Sequence, residues 1–239
     1  MGAYQDEHIT ISDDVRITIS KENYLKAIAE AESEGETVIA ATLSRWLRVS
    51  APAVTMAIRR LKRDSLIRVH AGGEINLTRE GREIANRVLQ RHQLIERMLT
   101  EIFGMEWYKV HDEAEQLEHA LSADFERKLL EKLGNGEACP HGNRVGTDRP
   151  EDRRERGWRP LDEIAAGESA RVISVFERDR QLLEYLDGLE IRPGAEVRMI
   201  SHNYDDTVTL SVSGKPVQLG RTAGAKVWVA RSGSHREAR

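Results

Sequence analysis

The segment VIAATLSRWLRVSAPAVTMAIRRLKRDSLIRV, from Val38 to Val69, leaves few folds open to the chain that carries it. Ala41, Leu43, Trp46 and Leu47 repeat at helical spacing, Val49 and Ser50 make a turn with Ser50 as cap, and Pro52 is a first-turn proline for a second helix. On that second helix Val54, Ile58 and Leu61 share a side, while Thr55, Arg59, Arg60, Lys62 and Arg63 cover the remainder. Two short helices across a tight turn are a helix-turn-helix pattern. From Leu66 to Thr78 the chain reads as strand, glycine turn at Gly72 and Gly73, and strand, so the expected unit is a winged helix.

A formal net charge of -4 gives no whole-surface attraction to nucleic acid. Locally the balance reverses: Arg45, Arg48, Arg59, Arg60, Lys62, Arg63 and Arg68 share a window whose single acid is Asp64. Phosphate contacts demand such clustering, and together with the turn and hairpin it outweighs the alternative of a merely solvated basic face. The expected contacts to double-stranded DNA are Arg45, the helix start at Ser50, Ala51, Pro52 and Ala53, and then Thr55, Met56, Arg59, Arg60 and Arg63. Trp46 and Met56 also carry a reading as packing residues, which is the commoner role for such side chains.

At 239 residues the chain is long for one core, and its composition, 39% hydrophobic and 32% charged, is that of a globular protein. No apolar run approaches the roughly 18 residues of a spanning helix, and the N-terminus has neither a basic region nor an apolar block. A cytoplasmic protein without membrane contact is the expectation. The lone cysteine, Cys139, excludes an intramolecular disulfide framework. Composition divides the chain into an arm (1–19), the winged helix-turn-helix (20–78), a helical region (79–142), a polar, proline-bearing linker (143–160), a small β-barrel of five short strands (161–231) and a frayed tail (232–239). The fold class is multi-domain α+β. A first helix is expected from about Lys21 to Glu34, with Ser20 as cap and Gly35 as stop. Apolar residues on the long helical stretches exceed what the winged helix covers, so a homodimer is expected.

The stretch KVHDEAEQLEHALS, Lys109 to Ser122, sets His111, Glu115, Glu118 and His119 on one helical face and Val110, Ala114, Leu117 and Leu121 on another. Its bland reading is an amphipathic helix with a solvated polar face. Its sharp reading is a metal site. His92 and Glu96, at i and i+4, reach one ion from one face in the same way. In CPHGN the Cys139 thiol and the His141 imidazole stand two residues apart in a turn, a workable chelating geometry. His70, His202 and His235 read as structural.

Together these motifs, SKENYLKAIAEAESEG, RVSAPAVTMAIRRLKRDSLI, LTREGREIA with QRHQLIERML, KVHDEAEQLEHALS and CPHGN, resemble in kind and order the diphtheria toxin repressor family of metal-dependent transcription regulators. The likeness runs from about Ser20 through Ala230, and LLEYLDGLEIRPG resembles the family's C-terminal SH3-like barrel, a relative of a ferrous-transport accessory domain. The resemblance implies that residues 79–142 carry metal binding and dimerisation. It implies a primary metal site of Asn23, Glu115, Glu118 and His119. It implies a second of His92, Glu96 and His111, joined by Cys139, His141 and an acid from the barrel, Glu177, with Asp179 competing. Manganese-responsive members usually have an aspartate at the position of Asn23 and an acid at that of Lys26, so this chain departs from them twice.

Iron-responsive members place sulfur where Glu115 stands; a carboxylate there gives a harder ligand set, so Mn(II) is the expected ion, with Fe(II) as the alternative and Cys139 as the route by which a softer ion enters. The implied function is repression of metal-uptake genes from a palindromic operator by a metal-clamped homodimer. Two other classes were weighed. A metallohydrolase would use the Glu and His cluster around an activated water, but no general base, nucleophile elbow or phosphate loop accompanies it, so no enzyme is expected. A DNA-binding scaffold with purely structural metal would bind DNA regardless of chelator.

Overall fold

The computed structural model describes residues 18–136, 138–146 and 148–232, so the expectations for residues 1–17, for His235 and for most of the tail lie outside it. Helix α1 spans Ile19–Ser33, with Thr18 rather than Ser20 as cap: the Thr18 hydroxyl accepts from Lys21 N at 3.4 Å, and Ser20 falls inside the first turn. Its Leu25, Ile28 and Ala31 are wholly buried, and Gly35 follows with φ +75°, the left-handed conformation that ends a helix. Helices α2 (Ala40–Leu47) and α3 (Ala51–Arg63) form the helix-turn-helix. Ser50 occupies the cap position of α3 but its side chain makes no cap hydrogen bond. Strands β1 (Ile67–Val69) and β2 (Ile75–Leu77) pair antiparallel as the wing. One core of Leu25, Ile28, Leu43, Val54, Leu61, Leu66 and Ile75 joins these elements, because each contributes one apolar face and none can bury it alone.

Thr78 caps α4 (Arg79–Arg97), its hydroxyl accepting from Gly81 N at 3.1 Å, and the helix continues as a widened turn over Met98–Ile102 before Gly104 at φ +65°. Helix α5 covers only Val110–Leu117, so the expected single face is cut short: Glu118 and His119 lie in the turn beyond it, and Leu117 is exposed. The reason is local. Ser122 starts the next helix, α6 (Ala123–Leu133), by accepting from Phe125 N at 3.3 Å, and the chain must turn before it.

The stretch expected as a linker carries two regular elements. Pro150 opens helix α7 (Pro150–Glu155), and β3 (Trp158–Pro160) pairs antiparallel with β8 (Val227–Arg231) at the end of the chain, Trp158 opposite Ala230. A three-residue strand ending in proline has no alternation to read, and it adds a sixth strand to the five expected. The others are β4 (Ser169–Val175), β5 (Glu196–His202), β6 (Thr207–Val212) and β7 (Lys215–Gly220), in the antiparallel order β3-β8-β4-β5-β6-β7, with α8 (Arg180–Gly188) after β4. Register shifts within β4 at Val172/Ser174 and within β5 at Met199/Ser201 bend this small sheet around Val172, Val197, Met199, Leu210 and Val227. No helix is long and apolar enough to cross a membrane among the described residues.

Candidate metal centre and nucleic-acid face

Four segments bring six donor side chains together between the helices and the sheet. From α4 come His92 and Glu96, one turn apart; from α5 comes His111; from the loop before α7 come Cys139 and His141; from the end of β4 comes Glu177. Donor atoms of His92, Glu96, His111 and Glu177 lie within 4.8 Å of one another, and so do those of Glu96, Cys139, His141 and Glu177. Glu96 Oε1 is the hub, 3.0 Å from His92 Nε2, 3.2 Å from His111 Nδ1 and 3.4 Å from His141 Nδ1. Glu96 Oε2 is buried without a hydrogen-bond partner. His92 Nε2 and His111 Nδ1 face each other at 3.0 Å. A buried carboxylate, a half-buried one and three imidazoles at such spacing are a costly arrangement unless protons or a cation balance them.

Local bonds explain how the loop delivers its two donors. The Gly142 backbone sits at φ +83°, and a Cβ there would meet Ile173 O at 1.9 Å, so only glycine lets the turn lie flat on β4. The Asn143 amide donates to Val175 O at 3.0 Å and to Glu177 Oε2 at 2.7 Å, and the Cys139 thiol lies 3.3 Å from the same carboxylate oxygen. The His141 ring is held at its far side, Nε2 lying 2.8 Å from Trp107 O, which turns Nδ1 inward. Burial would depress His141, but Glu96 and Glu177 outweigh it and hold the imidazole up at about 10; burial and the charge of Lys26 likewise oppose protonation of His92, yet Glu96 and Glu118 keep it at about 9. Burial and the neighbouring Glu177 and Glu96 push the Cys139 thiol well above its ordinary value.

The other four expected ligands lie at the opposite side of His92. His119 Nε2 is 2.6 Å from Asn23 Oδ1 and 3.3 Å from Glu118 Oε1, and that buried carboxylate oxygen has no hydrogen-bond partner. His119 Nδ1 is 2.9 Å from Glu22, a residue the sequence pattern did not single out. Glu115 is engaged by Lys26 rather than by His119. The Lys26 ammonium, 2% exposed, stands among Glu118 Oε2 at 2.6 Å, Glu115 Oε1 at 2.9 Å and His92 Nδ1 at 3.0 Å, with Glu30 Oε1 at 3.9 Å. Burial works against its charge, but Glu30, Glu115 and Glu118 together hold it above the usual lysine range. Lys26 and Glu30 are one turn apart, the only sequence signal for this network.

Arg178, next to Glu177, was also unforeseen. Its guanidinium donates to Glu30 at 2.6 Å and to Trp46 O at 3.3 Å, and lies 4.9 Å from the centre of the Trp46 ring. Trp46 is thus a buried packing residue, as one reading had it. Met56 is not: it is 60% exposed on α3 beside the exposed Ser50, Ala51, Pro52, Ala53, Thr55, Arg59, Arg60 and Arg63. Arg45 is exposed too and pairs with Glu36, while Arg63 pairs with Asp64 at 3.0 Å. His202 is structural, Nε2 lying 2.9 Å from Ile164 O, and His70 is exposed.

Residues 16–73 match the N-terminal DNA-binding domain of iron-dependent repressors, residues 78–145 their metal-binding and dimerisation domain, and residues 159–231 the FeoA domain. The diphtheria toxin repressor of Corynebacterium diphtheriae is 35% identical over 208 residues, covering 83% of this chain and 91% of that protein. The iron-dependent repressor IdeR of Mycobacterium tuberculosis is 34% identical over 173 residues, covering 70% and 73%. Among solved structures, a manganese-dependent transcriptional repressor in complex with manganese superposes with a TM-score of 0.78 at 29% identity, over 88% of this chain and 99% of that one. The manganese regulator SloR does so at 0.71 and 26%, over 90% and 100%.

Proposed function

This chain belongs to the iron-dependent, or diphtheria toxin, repressor family of metal-dependent DNA-binding repressors, and on that premise we propose that Mn(II) bound at the clusters around Glu96 and His119 controls its grip on a palindromic operator. The observation that carries the reading is the convergence of three ring nitrogens on Glu96 Oε1 beside Glu177, a donor set drawn from the dimerisation helices and from the sheet domain at once. Each cluster keeps a buried carboxylate oxygen with no hydrogen-bond partner, Glu96 Oε2 in one and Glu118 Oε1 in the other, so both fit a cation. His92, Glu96, His111, Cys139, His141 and Glu177 would hold an ion at the first; Asn23, Glu118 and His119, with Glu115 alongside, would hold one at the second. A bound ion would supply the positive charge these carboxylates and lone pairs need.

The ligands of the His119 cluster are an amide oxygen, a carboxylate and an imidazole, with no sulfur, and such a hard set suits Mn(II). A second reading, Fe(II), is favoured by one observation: the Cys139 thiol sits in the other cluster, 3.3 Å from Glu177. Control follows from linkage. Any free energy by which metal prefers the DNA-competent form returns as tighter DNA binding, by the same factor and no more. The residues that transmit it are Glu177, within the cluster, and Arg178, which bonds to Glu30 of α1 and Trp46 of α2 in the DNA-binding domain. The exposed side of α3 meets the major groove, and a homodimer sets two such helices on two half-sites. At the cluster around Glu96, the burial of Glu96 and His141 speaks against a hydrolase centred there.

The test is capture of sheared genomic DNA by the purified protein at one salt concentration, with Mn(II), with anaerobic Fe(II) or with chelator, followed by sequencing. Enrichment of a few palindromic sites only with metal is expected, and the better ion separates the two readings. Equal enrichment with chelator would reduce the metal to a structural part.

A further inference from the structure

Between the two clusters lies a third group of donors that resembles a cation site in every respect but its occupant. Glu118 Oε2, Glu115 Oε1 and His92 Nδ1 surround one point at 2.6, 2.9 and 3.0 Å, and that point is the ammonium nitrogen of Lys26. The lysine comes from α1, in the DNA-binding domain; its partners come from α5, the turn after it, and α4. A second cation closes the group from outside, Arg178 Nη1 lying 3.4 Å from Glu115 Oε1 and 2.6 Å from Glu30.

We infer that Lys26 is a resident cation that takes the place of a metal ion between His92, Glu115 and Glu118, and so ties α1 to α5 whether or not metal is bound elsewhere. Three facts carry this. Glu115 Oε1 and Glu118 Oε2 are committed to the ammonium, so an ion at that point would have to displace a buried positive charge into the same small space. The charge is needed there, since Lys26 and Glu118 are among the most deeply buried ionic side chains of the protein and removing Lys26 leaves Glu115 and Glu118 without the cation they share. The same contacts order the neighbouring cluster: Glu118 Oε2 is 2.7 Å and Lys26 Nζ 3.0 Å from His92 Nδ1, which fixes the ring with Nε2 facing Glu96. Lys26 is therefore a positioning residue for His92, acting through Glu118. The inference rests on the proposed metal binding only for its second consequence; the tie itself is independent of it.

The consequence for regulation is that metal cannot act by joining α1 to α5 at this point, where the joint is permanent. What remains for metal to change is Asn23 against His119, and Glu177 with Arg178.

The measurement is hydrogen exchange of α1 peptides covering Tyr24 to Ile28, read in the full chain with chelator and with Mn(II), alongside metal counted per chain by equilibrium dialysis and elemental analysis. In the wild type, protection of these amides should be the same in both conditions. In Lys26→Gln it should fall in chelator and stay low with Mn(II). Lys26→Glu, which supplies a fourth acid, should regain protection only with Mn(II) and bind one ion per chain more than wild type. Circular dichroism establishes that each variant is folded, and the wild-type arm decides the question should Lys26→Gln not fold. Loss of α1 protection in chelator-treated wild type would overturn the inference, as would a folded Lys26→Glu that binds no additional ion. Wild type that binds no metal while keeping α1 protected would defeat the metal reading and leave the tie standing.

Discussion

Glu177 and Arg178 are consecutive, yet their side chains enter different domains: Glu177 Oε2 lies 3.4 Å from His141 Nδ1 inside the buried cluster, while Arg178 donates to Glu30 of α1 and to the Trp46 carbonyl of α2. One peptide bond therefore joins a candidate metal ligand to a clamp on the reading head. A displacement of Glu177 cannot leave Arg178 where it is.

Replacing Arg178 by Met should keep the aliphatic contact with Trp46 and remove the charge. Metal-induced enhancement of DNA affinity should then fall by about tenfold, within the range of ordinary coupling energies, with the number of ions per chain unchanged. Fluorescence anisotropy of an operator duplex, with metal and with chelator, reads this directly. An enhancement equal to wild type would show that the clamp does not transmit.

Glu96 is the hub of the buried cluster, so Glu96→Gln should abolish metal binding there. An ion at a hundredfold its dissociation constant stabilises the wild type by about 2.7 kcal/mol, and that stabilisation should vanish in the variant. Co(II) gives a second readout, because the absorption band of a cobalt–thiolate bond reports Cys139. Retention of both the thermal shift and the band in Glu96→Gln would remove Glu96 from the ligand set.

Gly142→Ala tests the turn. Its φ of +83° and the 1.9 Å approach to Ile173 O both exclude a Cβ, so the loop from Cys139 to Asn143 must lift from β4. The strain should cost about 1–3 kcal/mol in urea unfolding and weaken the cobalt–thiolate band. An unchanged band with an unchanged midpoint would mean that the loop tolerates the shift.

Arg59 and Arg60 are exposed on α3 away from the metal clusters. Each Ala substitution should weaken DNA binding across sequences and reduce the slope of log affinity against log salt by about 0.9 per phosphate lost. Metal binding should not change. A variant with wild-type salt slope would place that arginine off the backbone.

Much of this protein was readable before any coordinates. The helix-turn-helix and wing follow from apolar spacing, Pro52 and the glycine turn, all local effects. His92 with Glu96 and the CPHGN turn are also local, so their chemistry was legible as donor pairs. Two elements escaped: α7, six residues within a charged stretch, and β3, which is too short to alternate and whose partner β8 is at the other end of the domain.

The sequence by itself determined most of the helices and strands, which side chains can act as donors, and where positive charge gathers, because each depends on neighbours within a turn or two. Only the tertiary structure decided which donors meet. Glu177 joins residues far earlier in the chain, Arg178 reaches back to Trp46, and Lys26 fills the space among His92, Glu115 and Glu118. A buried charge goes to whichever opposite charge packing brings within reach, and that pairing is a property of how α1, α4 and α5 cross rather than of any segment read alone.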